Sequence, residues 1–305
     1  MSLLVIGSVA FDAIDTPFGS TGKIVGGAAS YIALATTLLN DKIGLVAVVG
    51  EDFDGNFIET LKSRGVDMAG LQIKKGEKSF FWHGKYHVDM NSRDTLVTEL
   101  NVLGTFDPII PESWKEPDYV MLGNLSPQVQ LTTLNRLRKK PKLVVMDTMN
   151  FWMDIGLQDL KEVLKKVDVL TINDEEARQL SGEYSLVKAA RSILTMGPQT
   201  LIIKKGEHGA LMFAEKEQTF FCPALPLEEV FDPTGAGDTF AGGFIGYLAS
   251  KGRTDFECMK TAIVYGSALA SFCVEQFGTT KLASITLDDL NIRLAQFREL
   301  MFLPE

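Results

Sequence analysis

Short apolar runs alternate with helical stretches along most of this chain. Strands are predicted at residues 2–6, 43–49, 119–122, 143–146, 167–172, 200–204, 210–214 and 219–222, and helices at 28–39, 56–64, 128–139, 157–166, 175–180, 186–196, 236–250, 256–277 and 287–301. Such alternation is typical of a doubly wound, mostly parallel sheet with helices on both faces. The sequence therefore predicts an α/β fold that binds its ligands at the carboxyl ends of the strands.

Residues 71–103 break this alternation. The segment is polar, aromatic and β-prone, and it contains Phe80, Trp82 and Tyr86. We predict a few strands inserted at the sheet edge as a small β lid, with an ordinary surface hairpin as the alternative. Trp82 is a candidate substrate contact, although packing between lid strands, or between two lids, would also use aromatic side chains. Since no repeat or linker divides the chain, we predict one domain over residues 1–305.

Charge and cysteine content exclude several classes of function. The chain has 305 residues, a formal net charge of −9 and three cysteines. An acidic chain without a basic block does not suit nucleic acid, and the cysteine spacing matches neither a zinc site nor a disulfide framework. No apolar run reaches the ~18 residues of a transmembrane helix, and the N-terminal run is typical of a buried strand rather than a signal peptide. We therefore expect a cytoplasmic protein without nucleic-acid or membrane partners.

The most informative segment is DPTGAGDTFAGGF at residues 232–244. Gly235 and Gly237 allow the backbone to approach a ligand, and the N–H groups of residues 235–238 precede a helix whose dipole favours an anion. Asp238, in the first helical turn, can either take a proton from an attacking hydroxyl or simply cap the helix. The Gly-Lys-Ser/Thr of a P-loop is missing, and the segment lies too late in the chain for a dinucleotide fingerprint.

This segment closely resembles the C-terminal signature of the ribokinase-like (PfkB) family of carbohydrate and nucleoside kinases. The resemblance implies that Asp238 is the catalytic base and that Gly235, Ala236 and Gly237 form an anion hole. It also implies that Asp232 and the Thr234 carbonyl hold a monovalent cation, with K⁺ as the candidate. ATP and Mg²⁺ are the implied cofactors.

Two further segments resemble the nucleotide side of that family. Asn173 and Glu176 match an Asn-x-x-Glu motif that arranges Mg²⁺, with Glu176 acting through water; the same spacing is an ordinary capping box. The turn after residues 200–204 is similar to the family's Gly-x-x-Gly-Ala turn. There Lys204 can reach a phosphate, while Gly206 and Gly209 admit the nucleotide; a solvated hairpin turn is the alternative.

The resemblance also extends to the substrate side. Gly26 and Gly27 match the family's N-terminal signature. Asp12 is placed like the family's ligand for sugar hydroxyls. Asp15 is a less favoured candidate for that role, and the alternative for Asp12 is a solvated acid in a loop. Tyr31 stands where the family often has Asn, which puts the usual sugar contacts in question. After Asp147, the Asp-x-Asn-x-Arg pattern of many members is also altered, which argues for a different substrate.

Together these motifs predict an ATP-dependent kinase that transfers the γ-phosphoryl group to a primary hydroxyl of a sugar or sugar-like substrate. A nucleoside kinase of the same fold is the first alternative, since Tyr31 and Trp82 are able to stack on a base. A non-catalytic binding or regulatory protein on this fold is an alternative from another class. A homodimer through the lid is a further option that the resemblance raises.

Overall fold

The computed structural model describes residues 1–302, so the last three residues of the predicted domain lie outside it. The strands are β1 (Leu3–Ile6), β2 (Ala10–Thr16), β3 (Gly19–Ser20), β4 (Ile24–Gly26), β5 (Ile43–Gly50), β6 (Val66–Lys74), β7 (Phe81–Tyr86), β8 (Arg93–Glu99), β9 (Tyr119–Leu122), β10 (Leu143–Asp147), β11 (Val169–Asn173), β12 (Thr200–Lys204), β13 (Ala210–Ala214) and β14 (Thr219–Cys222). They form a nine-stranded sheet and a smaller second sheet.

The helices follow the strands in alternation. They are α1 (Ala28–Thr37), α2 (Gly55–Ser63), α3 (Pro127–Asn135), α4 (Asn150–Ile155), α5 (Leu157–Leu164), α6 (Asp174–Ser181), α7 (Leu186–Leu194), α8 (Ala236–Lys251), α9 (Phe256–Cys273), α10 (Thr280–Ser284) and α11 (Leu287–Leu300). The helix predicted at 256–277 ends earlier, at Cys273, and a separate short helix follows it. Within the described part of the chain, none of the helices has the length and apolarity to cross a membrane.

The large sheet has the order β14-β13-β12-β11-β10-β9-β1-β5-β6. Its strands run parallel from β6 through β12, and β13 and β14 are antiparallel at one edge. Strands such as β1 and β5 are buried along their whole length, which is expected of a parallel sheet covered on both faces. The predicted α/β class, a mostly parallel sheet with helices on both faces, is confirmed.

Two apolar cores lie on opposite faces of the large sheet, because neighbouring side chains of a strand point in opposite directions. Leu3 and Val5 belong to the core shared with α1, α8 and α9. Leu4 and Ile6 belong to the core on the other face, which includes residues of α5, α6 and α7. The sheet therefore sits rigidly between two helical layers.

Glycines allow helix α8 to lie unusually close to its neighbours α1 and α9. A β-carbon added at Gly242 would lie 2.6 Å from the Ile32 carbonyl oxygen, and one added at Gly243 would lie 2.9 Å from the Cα of Gly266. Thr36 of α1 also donates a 3.3 Å hydrogen bond to the Gly242 carbonyl. These contacts fix the position of α8, whose first turn carries the last residues of the DPTGAGD motif.

The smaller sheet has the order β3-β2-β7-β8, with β4 paired to β2. The predicted inserted strands are present at 81–86 and 93–99, but the bounds 71–103 need correction in two respects. Residues 71–74 end β6, which pairs with β5 in the large sheet. The small sheet also includes strands β2, β3 and β4 within residues 10–26, a stretch for which the sequence analysis predicts no strand.

Replacing Gly242 with Ala is expected to destabilise the fold by about 1–3 kcal/mol, because the added methyl group would collide with the backbone of Ile32. Gly246 lies one turn further along α8, and a β-carbon there would be 3.4 Å from Thr36, an ordinary contact. Gly246→Ala is therefore the matched control and should be neutral or stabilising by up to about 1 kcal/mol. Urea unfolding of both variants checks this, and equal midpoints would contradict the close helix contact.

Candidate active site

Three neighbouring strands of the large sheet end in polar residues at one edge. Asp147 is the last residue of β10, Asn173 of β11 and Lys204 of β12. Because the carboxyl ends of parallel strands lie at the same edge of a sheet, these three residues lie close together. The first turn of α8 lies beside them, since a β-carbon at Gly237 would be 2.9 Å from the Lys204 ammonium nitrogen.

The turn before α8 has the geometry of an anion site. Gly235 is the N-cap, with φ 75° and ψ 0°, and no side chain caps the helix. Asp238 is therefore not the helix cap, which was the alternative role. The Ala236 N–H donates to the Pro233 carbonyl at 3.2 Å, so this amide is already engaged. The amides of Gly237 and Asp238 lie in the first turn, where N–H groups have no partner within the helix.

The Asp238 carboxyl sits among charges. Burial, with the negative charge of Asp147 beside it, raises the pKa of Asp238 to about 7, while Lys204 and Arg93 oppose that rise. Asp12 adds to the negative charge. A carboxyl with this pKa is a more effective general base near neutral pH than an ordinary aspartate would be.

Lys204 is largely but not fully buried, and it contacts an acid. Its ammonium nitrogen lies 2.6 Å from the Oδ2 atom of Asp147. Burial works to lower the pKa of Lys204, but the negative charges of Asp147 and Glu176 outweigh it, so the pKa is raised. Lys204 is thus a fixed cation beside the anion site, as its predicted role in contacting phosphate requires.

Asn173 and Glu176 form a capping box at the start of α6. The Glu176 N–H donates to the Asn173 side chain at 2.8 Å, and the Asn173 N–H donates to the Glu176 carboxylate at 2.7 Å. Glu176 is buried, and burial together with the charge of Asp147 raises its pKa to about 7. Carboxylate oxygens suit Mg²⁺ and its bound waters, so the cap and the predicted magnesium role are compatible.

Asp12 lies on β2 and is buried against the glycine pair. Its carboxylate occupies the space that a β-carbon of Gly26 would need. Burial raises the pKa of Asp12 to about 7, opposed by a hydrogen bond from the Gly27 backbone. Gly27 has φ 88°, a conformation that favours glycine. Both glycines therefore serve to bring Asp12 and the start of α1 together.

The competitor Asp15 lies on the other face of the small sheet. Residues three apart on a strand point to opposite faces, and the Asp15 carboxylate lies 3.0 Å from the imidazole of His83. Asp12, in contrast, is paired with Trp82 of β7, so these two side chains share a face. The ring of Trp82 lies over Gly84, and its indole N–H donates to Thr95 at 3.2 Å.

Tyr31 lies beneath the glycine turn and is only 1% exposed. Its ring fills the space next to Gly235, where any β-carbon would collide with it. The hydroxyl is buried without a hydrogen-bond partner among the described residues. The observed role of Tyr31 is therefore to support the turn, and a direct substrate contact stays a prediction.

Asp232 ties the glycine turn to the end of α9. It is fully buried, and its two carboxylate oxygens accept the N–H groups of Thr234 and Gly278, each at 2.8 Å. The Thr234 carbonyl accepts a weak 3.5 Å bond from the Cys273 thiol. These oxygens keep further lone pairs, so they fit a monovalent cation as partial ligands in addition to their structural role.

The turn after β12 owes its glycines to backbone constraints. Gly206 and Gly209 both have positive φ, at 54° and 83°. A β-carbon at Gly209 would collide with the Cys222 carbonyl, and one at Gly206 would collide with the side chain of Asn91. The contact with Asn91 shows that the loop between β7 and β8 reaches the predicted nucleotide side.

The arrangement agrees with the comparisons to known proteins. Residues 2–286 match the family described as pfkB family carbohydrate kinase. The chain belongs to the pfkB family of carbohydrate kinases. It is therefore an ATP-dependent phosphotransferase that acts on a hydroxyl group. The cytidine kinase of Thermococcus kodakarensis is 35% identical over 268 residues, which cover 86% of this kinase and 94% of that protein.

Solved structures share the fold of this kinase. The nucleoside kinase of Methanocaldococcus jannaschii superposes with a TM-score of 0.77 at 22% identity, covering 97% of this chain and 99% of that one. An E. coli protein assigned as ribokinase II, in complex with ATP and Mg²⁺, gives a TM-score of 0.79 at 20% identity, with coverage of 97% and 99%. At these identities the likeness establishes the fold only.

Sequence reasoning missed two contacts in this kinase. The sequence analysis gives Asp147 only as part of an altered motif, although its position at a strand end, like those of Asn173 and Lys204, is a usable signal. It gives Tyr86 only as an aromatic residue of the lid, but the Tyr86 hydroxyl accepts a 3.2 Å hydrogen bond from the Thr234 hydroxyl and so joins the small sheet to the glycine turn. No local pattern could have revealed a contact across 148 residues.

The activity of this kinase is expected to fall as the pH drops below about 7. The predicted base Asp238 must be ionised to accept a proton, and burial raises its pKa to about 7, so the form that can act is lost on the acidic side. Burial also raises the pKa values of Asp12 and Glu176 to about 7. The fall in activity on the acidic side should therefore be steeper than the loss of a single ionised group predicts. A pH profile of kcat/KM measures this, and a flat profile down to pH ~5 would contradict it.

Proposed function

We propose that this protein is a nucleoside kinase that transfers the γ-phosphoryl group of ATP to the primary hydroxyl of the ribose. One observation carries the choice of substrate: Asp12 and Trp82 are paired neighbours on one face of the small sheet. A buried carboxylate binds ribose hydroxyls, and an indole offers a surface on which a base can stack. The 35% identity to a cytidine kinase supports the same choice.

The proposed chemistry uses Asp238 as the base. Its carboxylate takes the proton of the primary hydroxyl, whose oxygen then attacks the γ-phosphorus in line. The bond from that phosphorus to the β–γ bridging oxygen breaks, and ADP leaves. The free amides of the first turn of α8 and the ammonium of Lys204 stabilise the charge on the transferred group. Glu176 would hold Mg²⁺ through bound water, and the ion would neutralise negative charge on the nucleotide phosphates.

Replacing Asp238 with Asn is expected to lower kcat by several orders of magnitude while ATP binding persists. The amide cannot accept the hydroxyl proton, yet it has nearly the same shape. The variant should also be more stable than the wild type at pH ~8, because it removes a buried charge whose pKa is raised from 3.8 to about 7. Coupled ADP release and calorimetric ATP binding test this prediction, and turnover near that of the wild type would exclude Asp238 as the base.

A substrate panel with Trp82 variants tests the choice of acceptor. Cytidine, other nucleosides, ribose and fructose should be compared at equal concentration, and a nucleoside is expected to be preferred. Trp82→Ala should raise KM for that nucleoside by about tenfold, since base stacking is worth ~1–3 kcal/mol, whereas Trp82→Phe should retain most of it. If a free sugar is preferred and Trp82→Ala leaves its KM unchanged, the second candidate, a sugar kinase, replaces the first.

Three finer points stay predictions. A homodimer through the small sheet is supported by β8, an edge strand whose seven residues are all exposed and able to pair with another strand. Sedimentation of the pure protein tests it. Activation by K⁺ through Asp232 and the Thr234 carbonyl is tested by comparing rates in potassium and sodium salts. The cytoplasmic location is tested by cell fractionation.

A further inference from the structure

A buried ion pair connects two strand ends at the site. The Lys204 ammonium and the Asp147 carboxylate are 2.6 Å apart, and their side chains are 17% and 7% exposed. Removing two charges from water costs several kcal/mol, and replacing such a pair with apolar residues is often neutral or stabilising. A contribution to stability is therefore a weak explanation for this ion pair, and its position at the site suggests a functional explanation instead.

The sheet holds Asp147 firmly. It ends β10 in register with Thr171 of the neighbouring β11. The Thr171 hydroxyl lies 3.2 Å from the Asp147 Oδ2 atom and 3.3 Å from the Met146 carbonyl oxygen, so these two acceptors share the one hydroxyl proton. The same Oδ2 atom receives the Lys204 ammonium, which comes from β12 on the far side of β11. The Asp147 carboxylate thus contacts the Thr171 hydroxyl on the adjacent strand β11. It also draws the flexible Lys204 side chain across the end of β11.

The lysine is directed toward the glycine turn. A β-carbon at Gly237 would lie 2.9 Å from the Lys204 nitrogen, closer than packing allows. Gly237 lies inside α8, where any residue can adopt the backbone conformation. Glycine is therefore needed here for the room it leaves to the Lys204 ammonium, and not for its backbone freedom. Gly235 differs, because its φ of 75° favours glycine. The site is built to admit the ammonium next to the free amides.

We propose that Asp147 is a positioning residue that holds the Lys204 ammonium against Gly237, where it meets the transferred phosphoryl group. This proposal rests on the proposed phosphoryl transfer. Without Asp147 the lysine would keep its charge but lose its fixed position, and catalysis depends on the geometry of such groups as well as on their charge. In this proposal Asp147 acts through Lys204, which is the group its carboxylate contacts.

The charges around Asp238 supply a readout that a purely structural role would not move. The groups that face it are Asp147, Lys204, Asp12 and Arg93. Asp147 raises the pKa of Asp238 and Lys204 lowers it. Removing the negative charge should therefore move the acidic limb of the pH profile to lower pH, and removing the positive charge should move it to higher pH.

The test is a double-mutant cycle with Asp147→Asn and Lys204→Met, assayed with the nucleoside that the substrate panel identifies. Lys204→Met is expected to lower kcat by about a hundredfold or more, and Asp147→Asn by about tenfold. If Asp147 acts through Lys204, the double variant should be no slower than Lys204→Met, and the acidic limbs of the single variants should shift in opposite directions. Additive losses, or an unchanged kcat and pH limb in Asp147→Asn, would overturn the proposal.

Asp168→Asn is the control for losing a partly buried carboxylate elsewhere. Asp168 precedes β11 at the opposite end of the sheet and accepts the Val144 N–H at 2.8 Å, so its loss should lower stability but leave the pH limb unchanged. If Asp147→Asn does not fold, the test rests on Lys204→Met. A kcat equal to that of the wild type in Lys204→Met would overturn the proposal. A wild-type protein that is inactive on every nucleoside would instead refute the proposed function.

Discussion

The close contact between α8 and α1 is the constraint on which the rest of the site depends. Gly242 lets the two helices approach until backbone meets backbone, and Tyr31 of α1 fills the space next to Gly235. The first turn of α8 is therefore fixed relative to the strand ends. Since hydrogen-bond donors stabilise a developing charge only when they are already in place, this packing belongs to the catalytic apparatus of the proposed mechanism even though it lies below the site.

The site concentrates more negative than positive charge in a buried volume. Asp12, Glu176 and Asp238 each have a pKa of about 7, because burial disfavours their charged forms. When folding raises the pKa of an acid, the folded state loses stability as the pH rises from the pKa of the unfolded state to the pKa of the folded state. The chain thus trades stability near neutral pH for carboxylates that can accept protons there, and the pair of Lys204 with Asp147 limits the imbalance.

The small sheet is more than an appendage to the large one. It carries Asp12 and Trp82 on one face, and Tyr86 connects it to Thr234 of the glycine turn. The side chains proposed to hold the acceptor are therefore linked directly to the turn proposed to hold the phosphoryl group. In the proposed mechanism, this hydrogen bond joins the acceptor side of the site to the phosphoryl side.

Local periodicity and a contiguous motif were enough to predict the layered α/β fold, most of the strands and helices in their order along the chain, and the glycine turn with Asp238. The elements β2, β3, β4, α4 and α10 were not predicted. The sequence did not reveal that β2 and β7 lie side by side, since strand pairing is a non-local choice. The contact of Lys204 with Asp147 spans 57 residues, and the burial that raises the carboxyl pKa values exists only after two sheets and several helices have packed. Tertiary structure alone decided these features, because distance and desolvation are properties of the folded chain.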